Sequence, residues 1–542
     1  MQQPNTKTQR YDRQLRLWHN HGQQALENSK VLLINGSATG TEILKNLVLP
    51  GIQSFTVLDG NKVANADLGN NFFLTRESVG KSRSKEVTDL LRELNNDVEG
   101  NHLEEDPTNL INNDLNFFKK FTIVVASQLI EVELLKLSAF LWENNIPLIV
   151  VRTYGFIGYL RIAVPEHTVV ETHPEQIVDL RLDSPFKELS TFANSFDFST
   201  MTSFELSHVP YVVLLLRSLG EFRQQYGHLP SSTNEKNEFK NLIKQKMSGV
   251  TSETENFDEA LSSAFRTYSP TSNTQSILQD EKISNLNLKS TNFWILAKAL
   301  KSFIENEGNG FLPVAGTLPD MKSDTTSYVE LQTIYKNKAK QDVASVNNYL
   351  LEILNNLGKP KDSIPLEEVE RFCKNANFLR VIKYRSLNDE YLNASTTLGF
   401  TTNDILHLTV LKKKKFFYKG KLLEDLNSNV VFFVLIRAVD SFWEKYRRYP
   451  GVHNSEVDAD IPLLKRCTQN LLQGWGVNPG LIQDDHIHCM VRAGACEMHN
   501  MAAIQGGIVA QEIIKILTGQ YIPLDNSFIF NGMNSTSTTF RI

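Results

Sequence analysis

The sequence has 542 residues, of which 41% are hydrophobic and 22% charged, so it has the composition of an ordinary globular protein of about two to four domains. A net charge of −5, from 56 Lys and Arg against 61 Asp and Glu, excludes a general attraction to nucleic acid or anionic membranes. Four cysteines with no C-x-x-C pair argue against a disulfide framework. The polar segment Met1–Gln9 and the lack of an apolar run of roughly 18 residues predict no signal peptide and no membrane span. We therefore expect a cytoplasmic or nuclear protein.

The first predicted elements are a strand, a tight turn and a helix. Val31–Ile34 is a run of apolar residues typical of a buried parallel strand. A helix with one apolar face is predicted over Glu42–Leu49. Asp59 ends the next predicted strand, Phe55–Leu58, where an acid would bind a ribose hydroxyl group. This order predicts a Rossmann-like α/β domain.

The turn between the first strand and helix lacks most of the glycine that a nucleotide site uses. Glycines there let bare backbone N–H groups approach a pyrophosphate. The three positions hold Asn35, Ser37 and Gly40. We therefore predict a nucleotide-binding fold with a degenerate site at Gly36, Gly40 and Asp59. A single turn of this kind is a weak pattern, because many plain strand-to-helix connections resemble it.

The rest of the sequence predicts one α/β domain interrupted by an insertion. Predicted strands and helices alternate over 1–168, as in a parallel sheet with crossover helices. Long amphipathic helical patterns dominate 169–484. Alternation returns in 485–542, where a helix at Asn500–Thr518 precedes two strands. We expect the first and last segments to form one discontinuous domain and 169–484 to be a mainly helical insertion.

Motifs spread over the whole sequence resemble one family. One motif, Tyr11–Trp18, precedes the first strand. The others are Gly36–Glu42, Lys45–Gly51, Asn71–Leu74, Arg152–Gly155, Asp179–Pro185, Leu312–Thr317, Pro319–Met321, Tyr449–Val452, Gly506–Gly507 and Ala510–Glu512. As a set they resemble the ubiquitin-activating (MoeB/ThiF-like) enzymes. The resemblance is closest to the non-catalytic subunits of the heterodimers that activate the Rub-type ubiquitin-like modifier in neddylation.

Departures from the active members of that family imply that this chain is no enzyme on its own. Active members carry a second acid after the second strand, where Asn61 stands here. Their Asn-Arg-Gln triplet reads Gly-Asn-Asn at 69–71, and their lysine falls on Arg83. Serine and glutamine at 127–128 replace their magnesium-binding aspartate. Because adenylation brings a carboxylate to a triphosphate, cations must cover that charge, and these losses imply an inactive half.

The resemblance also implies how such a half contributes. The matching residue is Arg13, which would reach across the dimer to the ATP phosphates, with Arg16 as its nearest rival. A planar, permanently charged guanidinium suits this task. ATP and magnesium would be bound by the catalytic subunit, with no cofactor or metal held tightly here. The implied partners are that subunit, the Rub modifier and, indirectly, a conjugating enzyme.

Four cysteines are candidates for the thiol that accepts the modifier: Cys373, Cys467, Cys489 and Cys496. Such a nucleophile needs access and a lowered pKa. Only Cys467 is followed by threonine, as in active relatives, but it falls within a predicted helix. Buried structural roles are favoured for Cys373 and Cys467. The acceptor cysteine is therefore expected on the partner.

Two further clusters of polar residues could have a function of their own. Metal-ligand residue types between Asp484 and His499 match no standard zinc spacing. The basic run Lys412–Lys415 could serve nuclear import or nucleic-acid binding, but a solvated strand end fits a mildly acidic chain better.

Three other functions are alternatives for the whole chain. The long insertion argues against the equivalent Sumo-activating subunit. The broken turn argues against a stand-alone NAD-dependent oxidoreductase, and Arg13 argues against a pure scaffold.

Overall fold

The computed structural model describes residues 6–173, 179–248, 250, 253–267, 274–392 and 429–542. They fall in two compact units. The sheet unit comprises Met1–His167 with Ile382–Ile542, and the helical unit comprises Thr168–Val381. The predicted strand at Val410–Tyr418 and the basic run Lys412–Lys415 lie outside the described residues.

The strands are β1 (Lys30–Ile34), β2 (Ser54–Leu58), β3 (Glu99–Leu103), β4 (Ile123–Ser127), β5 (Leu148–Tyr154), β6 (Ile157–Ala163), β7 (His167–Val169), β8 (Arg380–Ile382), β9 (Ser527–Asn531) and β10 (Thr536–Phe540). The helices are α1 (Thr6–Glu27, with a break at His19), α2 (Ala38–Val48), α3 (Arg83–Arg92), α4 (Pro107–Asn113), α5 (Glu131–Glu143), α6 (Lys187–Asn194), α7 (Ser203–Leu206), α8 (Tyr211–Tyr226), α9 (Thr233–Met247), α10 (Glu255–Ser263), α11 (Gln275–Leu278), α12 (Glu281–Ser284), α13 (Asn292–Glu305), α14 (Thr325–Leu357), α15 (Leu366–Lys374), α16 (Leu387–Leu392), α17 (Val430–Tyr446), α18 (Val457–Gly474), α19 (Asp484–Ala493) and α20 (His499–Thr518).

The sheet unit contains an eight-stranded sheet in the order β10-β9-β6-β5-β4-β1-β2-β3. Strands β1 to β5 pair in parallel, whereas β6, β9 and β10 pair antiparallel to their neighbours. The prediction of a parallel sheet over 1–168 is thus correct for β1 to β5 and wrong for β6. The β5–β6 connection is a tight turn, which can only join antiparallel strands.

Both faces of this sheet are covered, which explains its uninterrupted apolar strands. In β4, Ile123 and Val125 belong to one core cluster, and Val124 and Ala126 belong to the cluster on the other face. Edge strand β3 reads Glu-Gly-Asn-His-Leu and is mostly exposed. It has no apolar alternation, so a sequence pattern could not predict it.

Helix α20 packs closely on α2. A Cβ atom added at Gly506 would lie 2.6 Å from Cβ of Glu42, so glycine is needed where these helices meet. A Cβ atom at Gly507, by contrast, would meet nothing within 4 Å. Among the described helices, α20 has the length and composition that could cross a membrane, and 56% of that window is buried inside the protein.

The second segment of the sheet unit begins at Ile382, so the predicted return at 485 places this boundary too late. Helices α17 and α18, which were predicted in the insertion, belong to the sheet unit. The Phe433 ring on α17 lies 5.9 Å from the ring of Tyr159 in β6 and 5.9 Å from the ring of Phe540 in β10. The first seven residues of α17 are apolar, and residues 430–440 are all buried in the core of the sheet unit.

The helical unit is organised around the 33-residue helix α14. The hydroxyl of Tyr335 on this helix donates to the backbone oxygen of Leu180 at 2.6 Å. Further along, Oδ2 of Asp342 accepts the backbone N–H of Val314 at 2.9 Å. Both bonded segments are motifs that carried the family resemblance. These motifs therefore hold the helical unit together.

Candidate functional site

Two buried aromatic residues hold the helix that carries Arg13. Tyr11 and Trp18 are two helical turns apart and share one face of α1. They are 2% and 7% exposed. The hydroxyl of Tyr11 accepts a hydrogen bond from Nδ2 of Asn95 at 2.9 Å, and the indole N–H of Trp18 donates to Oε1 of Gln23 at 3.1 Å. The segment is therefore anchored to the sheet unit at both of its ends.

Arg13 lies on the opposite face of α1 from Tyr11, because two residues correspond to about 200° of rotation around a helix. Its side chain is exposed, and within the part of the chain that the structure describes it makes no hydrogen bond or ion pair. Arg16 is also exposed, but its guanidinium binds Oδ2 of Asp12 at 2.6 Å. Of these two arginines, Arg13 is the one with its guanidinium available to a group outside this chain.

The residues that replace glycine in the turn make hydrogen bonds of their own. Asn35 has a φ of 65°, a left-handed conformation that asparagine tolerates, and its Nδ2 donates to the backbone oxygen of Ser127 at 2.8 Å. Oγ of Ser37 caps α2 by accepting the N–H of Gly40 at 3.2 Å, and it lies 2.7 Å from Oγ of Ser127. A Cβ atom at Gly40 would lie 2.8 Å from a methyl carbon of Leu33. This glycine therefore serves the packing of α2 on β1.

Asp59, which the sequence places at the ribose position, is fully buried and bound to protein groups. Its Oδ2 accepts the N–H of Gly36 at 2.9 Å and Nε–H of Arg83 at 2.6 Å. Its Oδ1 accepts the backbone and side-chain N–H groups of Asn61, both at 2.9 Å. Burial lowers the pKa of Arg83, but nearby carboxylates, chiefly Asp59, outweigh burial and raise that pKa above its usual value. The cation that replaces the expected lysine is thus already paired.

A carboxylate from the far end of the chain reaches the same turn. Oε2 of Glu497 accepts the N–H of Ala38, the first residue of α2, at 2.9 Å. Oε1 of Glu497 accepts from Nε2 of Gln128 at 3.0 Å, and the same Nε2 donates to the backbone oxygen of Thr153 at 2.9 Å. Glu497 is only 8% exposed. Gln128, at the position expected for a metal-binding aspartate, therefore acts as a hydrogen-bond donor.

We call the turn Asn35–Gly40 together with Asp59, Arg83 and Glu497 the cradle. A phosphate group at a Rossmann-type turn binds the N–H groups at the start of the helix. Here those of Gly36, Ala38 and Gly40 are already paired within the chain. Two carboxylates in the cradle would also repel a polyphosphate. The residues present therefore do not fit magnesium and ATP.

The cysteines differ in exposure and in pKa. Cys373 and Cys467 are buried, Cys489 is half-buried and Cys496 is exposed. Burial raises the pKa of Cys373 to about 12 and also raises the pKa of Cys467 and of Cys489. Cys467 lies within α18, as predicted. A thiol whose pKa is raised carries little of the reactive thiolate at neutral pH, so three of the four cysteines are poor nucleophiles.

The metal-ligand residue types between Asp484 and His499 are dispersed. Oδ1 of Asp484 binds Nζ of Lys465 at 2.6 Å. Nδ1 of His499 lies 3.2 Å from the backbone oxygen of Asn70. Across the residues that the structure describes, no group of three or more His, Cys, Asp or Glu side chains could hold a metal ion.

Sequence reasoning missed Glu497. Ala38 and Glu497 are 459 residues apart in the chain, and a single acid ahead of a helix forms no recognisable pattern. Asn35 could have been interpreted better, since asparagine is one of the few residues that replace glycine at a positive φ. The sequence shows that the turn lacks glycines, whereas the structure shows that the carboxylate of Glu497 binds there.

The chain is similar over its whole length to known proteins. The ThiF family model matches residues 11–542. The NEDD8-activating enzyme E1 regulatory subunit of Gallus gallus is 45% identical, covering 99% of this chain and 98% of that protein. The NEDD8-activating enzyme E1 regulatory subunit AXR1 of Arabidopsis thaliana is 39% identical, covering 100% and 97%. Among solved structures, a crystal structure of E. coli MccB with AMPCPP and MccA is 19% identical in sequence. The match covers 30% of this chain and 51% of that chain, and its TM-score of 0.27 indicates a distant likeness. The chain thus belongs to the ThiF family and, within it, to the NEDD8-activating enzyme E1 regulatory subunits.

Proposed function

We propose that this chain is the regulatory half of a heterodimer that uses ATP to adenylate the C-terminus of a NEDD8-type modifier. The catalytic partner then accepts the modifier on its own cysteine. The names of the full-length relatives support the regulatory role. The paired cradle supports the division of labour, because its N–H groups and its arginine are already engaged. ATP and magnesium are accordingly assigned to the partner.

The observation that carries the proposal is the contrast between two arginines. Arg83 in the cradle is bound to Asp59 and Asp67 of this chain. Arg13 is exposed and, within the described residues, unpaired, although Tyr11 and Trp18 fix the helix that bears it. An anchored helix with an unpaired guanidinium suits insertion into a neighbouring anionic site. We assign Arg13 to the ATP phosphates bound by the partner.

We propose that the partner covers the outward face of α1. Leu17, next to Arg16 on this helix, is 54% exposed and would be buried by such a contact. The segment Tyr328–Lys340 of α14 is a second proposed contact, where Val329 is 53% exposed. All four cysteines are free, which supports a cytoplasmic or nuclear location.

The role of Arg13 is tested with the assembled heterodimer. Replacing Arg13 by alanine should lower ATP–pyrophosphate exchange with NEDD8 at least about tenfold, equivalent to roughly 1.4 kcal/mol of transition-state stabilisation. Arg16→Ala is the matched control, since it removes an exposed guanidinium from the same helix and should change the rate less than about twofold. Gel filtration checks that both variants still assemble. Unchanged exchange by the Arg13→Ala complex would remove this role.

The location of the acceptor cysteine is tested with the same complex. A heterodimer in which Cys373, Cys467, Cys489 and Cys496 are all replaced by serine should still form the modifier thioester. Non-reducing electrophoresis should then place that thioester on the partner. A thioester found on this chain in the unmodified complex would contradict the assignment. Repeating the assay with Sumo in place of NEDD8 decides between the two modifiers.

A further inference from the structure

We propose that the carboxylate of Glu497 is an internal ligand of the cradle, occupying the place that a phosphate group takes at a Rossmann-type turn and thereby closing this site to nucleotides. The proposal goes beyond the loss of glycines and of the metal ligand. Those losses weaken a site, whereas Glu497 fills it.

The hydrogen bonds of Glu497 are those of a bound anion. Oε2 accepts the N–H of Ala38 at the N-terminus of the 11-residue helix α2, and Oε1 accepts Nε2–H of Gln128. A helix N-terminus stabilises negative charge, because its first N–H groups have no partner inside the helix. The side chain is 92% buried, so its charge is held by these donors and not by bulk water.

The backbone that carries Glu497 is itself fixed. The backbone oxygen of Cys496 accepts the N–H of Gly155 at 2.8 Å, which ties this segment to the end of β5. Two residues later α20 begins, and it packs against α2 through Gly506. The carboxylate is therefore positioned by the end of β5 and by α20, which packs on α2, the helix that the cradle turn begins. An incoming phosphate would have to displace a ligand that the fold holds in place.

Asp59 makes the closure stronger. It accepts the N–H of Gly36, so two separate carboxylates accept the N–H groups of Gly36 and Ala38 in the turn. Arg83, the nearby cation, is bound to Asp59 and to Asp67. A nucleotide phosphate would therefore meet two negative charges and one cation that is already engaged.

The test uses the full-length chain without its partner, so that the partner's nucleotide site cannot contribute. Glu497→Ala should lower the melting temperature by about 2–4 °C. Because the substitution leaves an empty anion site, ~0.1 M sodium formate should restore at least half of that loss, whereas sodium chloride at the same concentration should not. Asp12→Ala is the control. The Asp12 side chain on α1 is 49% exposed, so its removal leaves no enclosed anion site, and formate should act on this variant no more than chloride.

Glu497→Gln keeps the side-chain volume and an acceptor oxygen but removes the charge. This variant should fold, melt below the unmodified chain and show no specific response to formate, because the site stays filled. Hydrogen exchange tests the proposal without any substitution. The amide hydrogen of Ala38 should be protected from exchange in the unmodified chain, because it is bound to Glu497. The proposal is overturned if both Glu497 variants melt like the unmodified chain, or if formate stabilises all the variants equally. These outcomes do not depend on adenylation and are therefore separate from the role proposed for Arg13.

Discussion

Two ion pairs in the sheet unit have the same nitrogen–oxygen distance, but one is buried and the other is exposed to solvent. Oδ2 of Asp59 lies 2.6 Å from Nε of Arg83, and these side chains are 0% and 15% exposed. Oδ2 of Asp12 lies 2.6 Å from an Nη of Arg16, and these side chains are 49% and 71% exposed. The first pair sits in the cradle and the second on α1, next to the unpaired Arg13. Within the described residues, the buried carboxylate and guanidinium are paired with each other, whereas Arg13, beside the exposed pair, makes no ion pair.

The largest expected effect comes from breaking the buried pair. Asp59→Asn removes the charge that compensates Arg83 and disturbs a group that accepts four hydrogen bonds. Leaving one partner of a buried pair without its counter-charge costs about 3 kcal/mol or more. We expect a decrease of this size in the free energy of unfolding, measured by urea denaturation of the full-length chain.

The exposed pair provides the control for this prediction. Asp12→Asn should change the free energy of unfolding by less than about 0.5 kcal/mol, because solvent screens an exposed ion pair. If Asp12→Asn and Asp59→Asn destabilise the chain equally, the distinction between the cradle and α1 is wrong.

A smaller effect is expected where α1 is anchored. Tyr11→Phe removes the hydroxyl that accepts from Asn95, while Nδ2 of Asn95 keeps its bond to the backbone oxygen of Val48. Loss of one such buried hydrogen bond should cost about 1 kcal/mol in urea denaturation. Tyr349→Phe is the control, since the hydroxyl of Tyr349 donates to Glu307 at the surface. Loss of this exposed hydrogen bond should hardly change the free energy of unfolding. A larger effect at Tyr349 than at Tyr11 would mean that α1 is not anchored in this way.

The smallest effect separates charge from geometry at Arg13. Lysine keeps the positive charge but lacks the planar, two-pronged set of donors of a guanidinium. In the assembled heterodimer, Arg13→Lys should lower ATP–pyrophosphate exchange roughly threefold, less than the alanine variant does. If lysine is as harmful as alanine, geometry alone determines the contribution of Arg13. Full activity with lysine would reduce that contribution to simple charge.

Local sequence pattern was enough to predict much of the fold. Long amphipathic patterns predicted helices in 169–484, and the pattern over Val430–Tyr446 matches α17, because apolar residues at helical spacing over that length favour a helix. The same pattern did not reveal which unit the helix joins, because that depends on contacts with distant residues. Strand β3 was missed because it lies at the polar edge of the sheet and is defined by pairing with β2.

The site shows a similar limit. Loss of glycine at Asn35 and Ser37 and loss of a metal ligand at 127–128 could be read directly, since each concerns residues at fixed spacing. The closure of the cradle could not be read from the sequence, because Glu497 lies next to Ala38 only through the packing of α20 on α2. The family resemblance selected Arg13 over Arg16, and the structure adds that Arg16 is paired with Asp12 at the surface.

The central claim is that this chain keeps a nucleotide-binding fold without a working site and contributes to a site on its partner. The most direct measurement is ATP–pyrophosphate exchange with NEDD8, magnesium and ATP, made on the purified full-length chain alone and again after adding the catalytic subunit. The account predicts exchange only when both subunits are present. Exchange by this chain alone would contradict it.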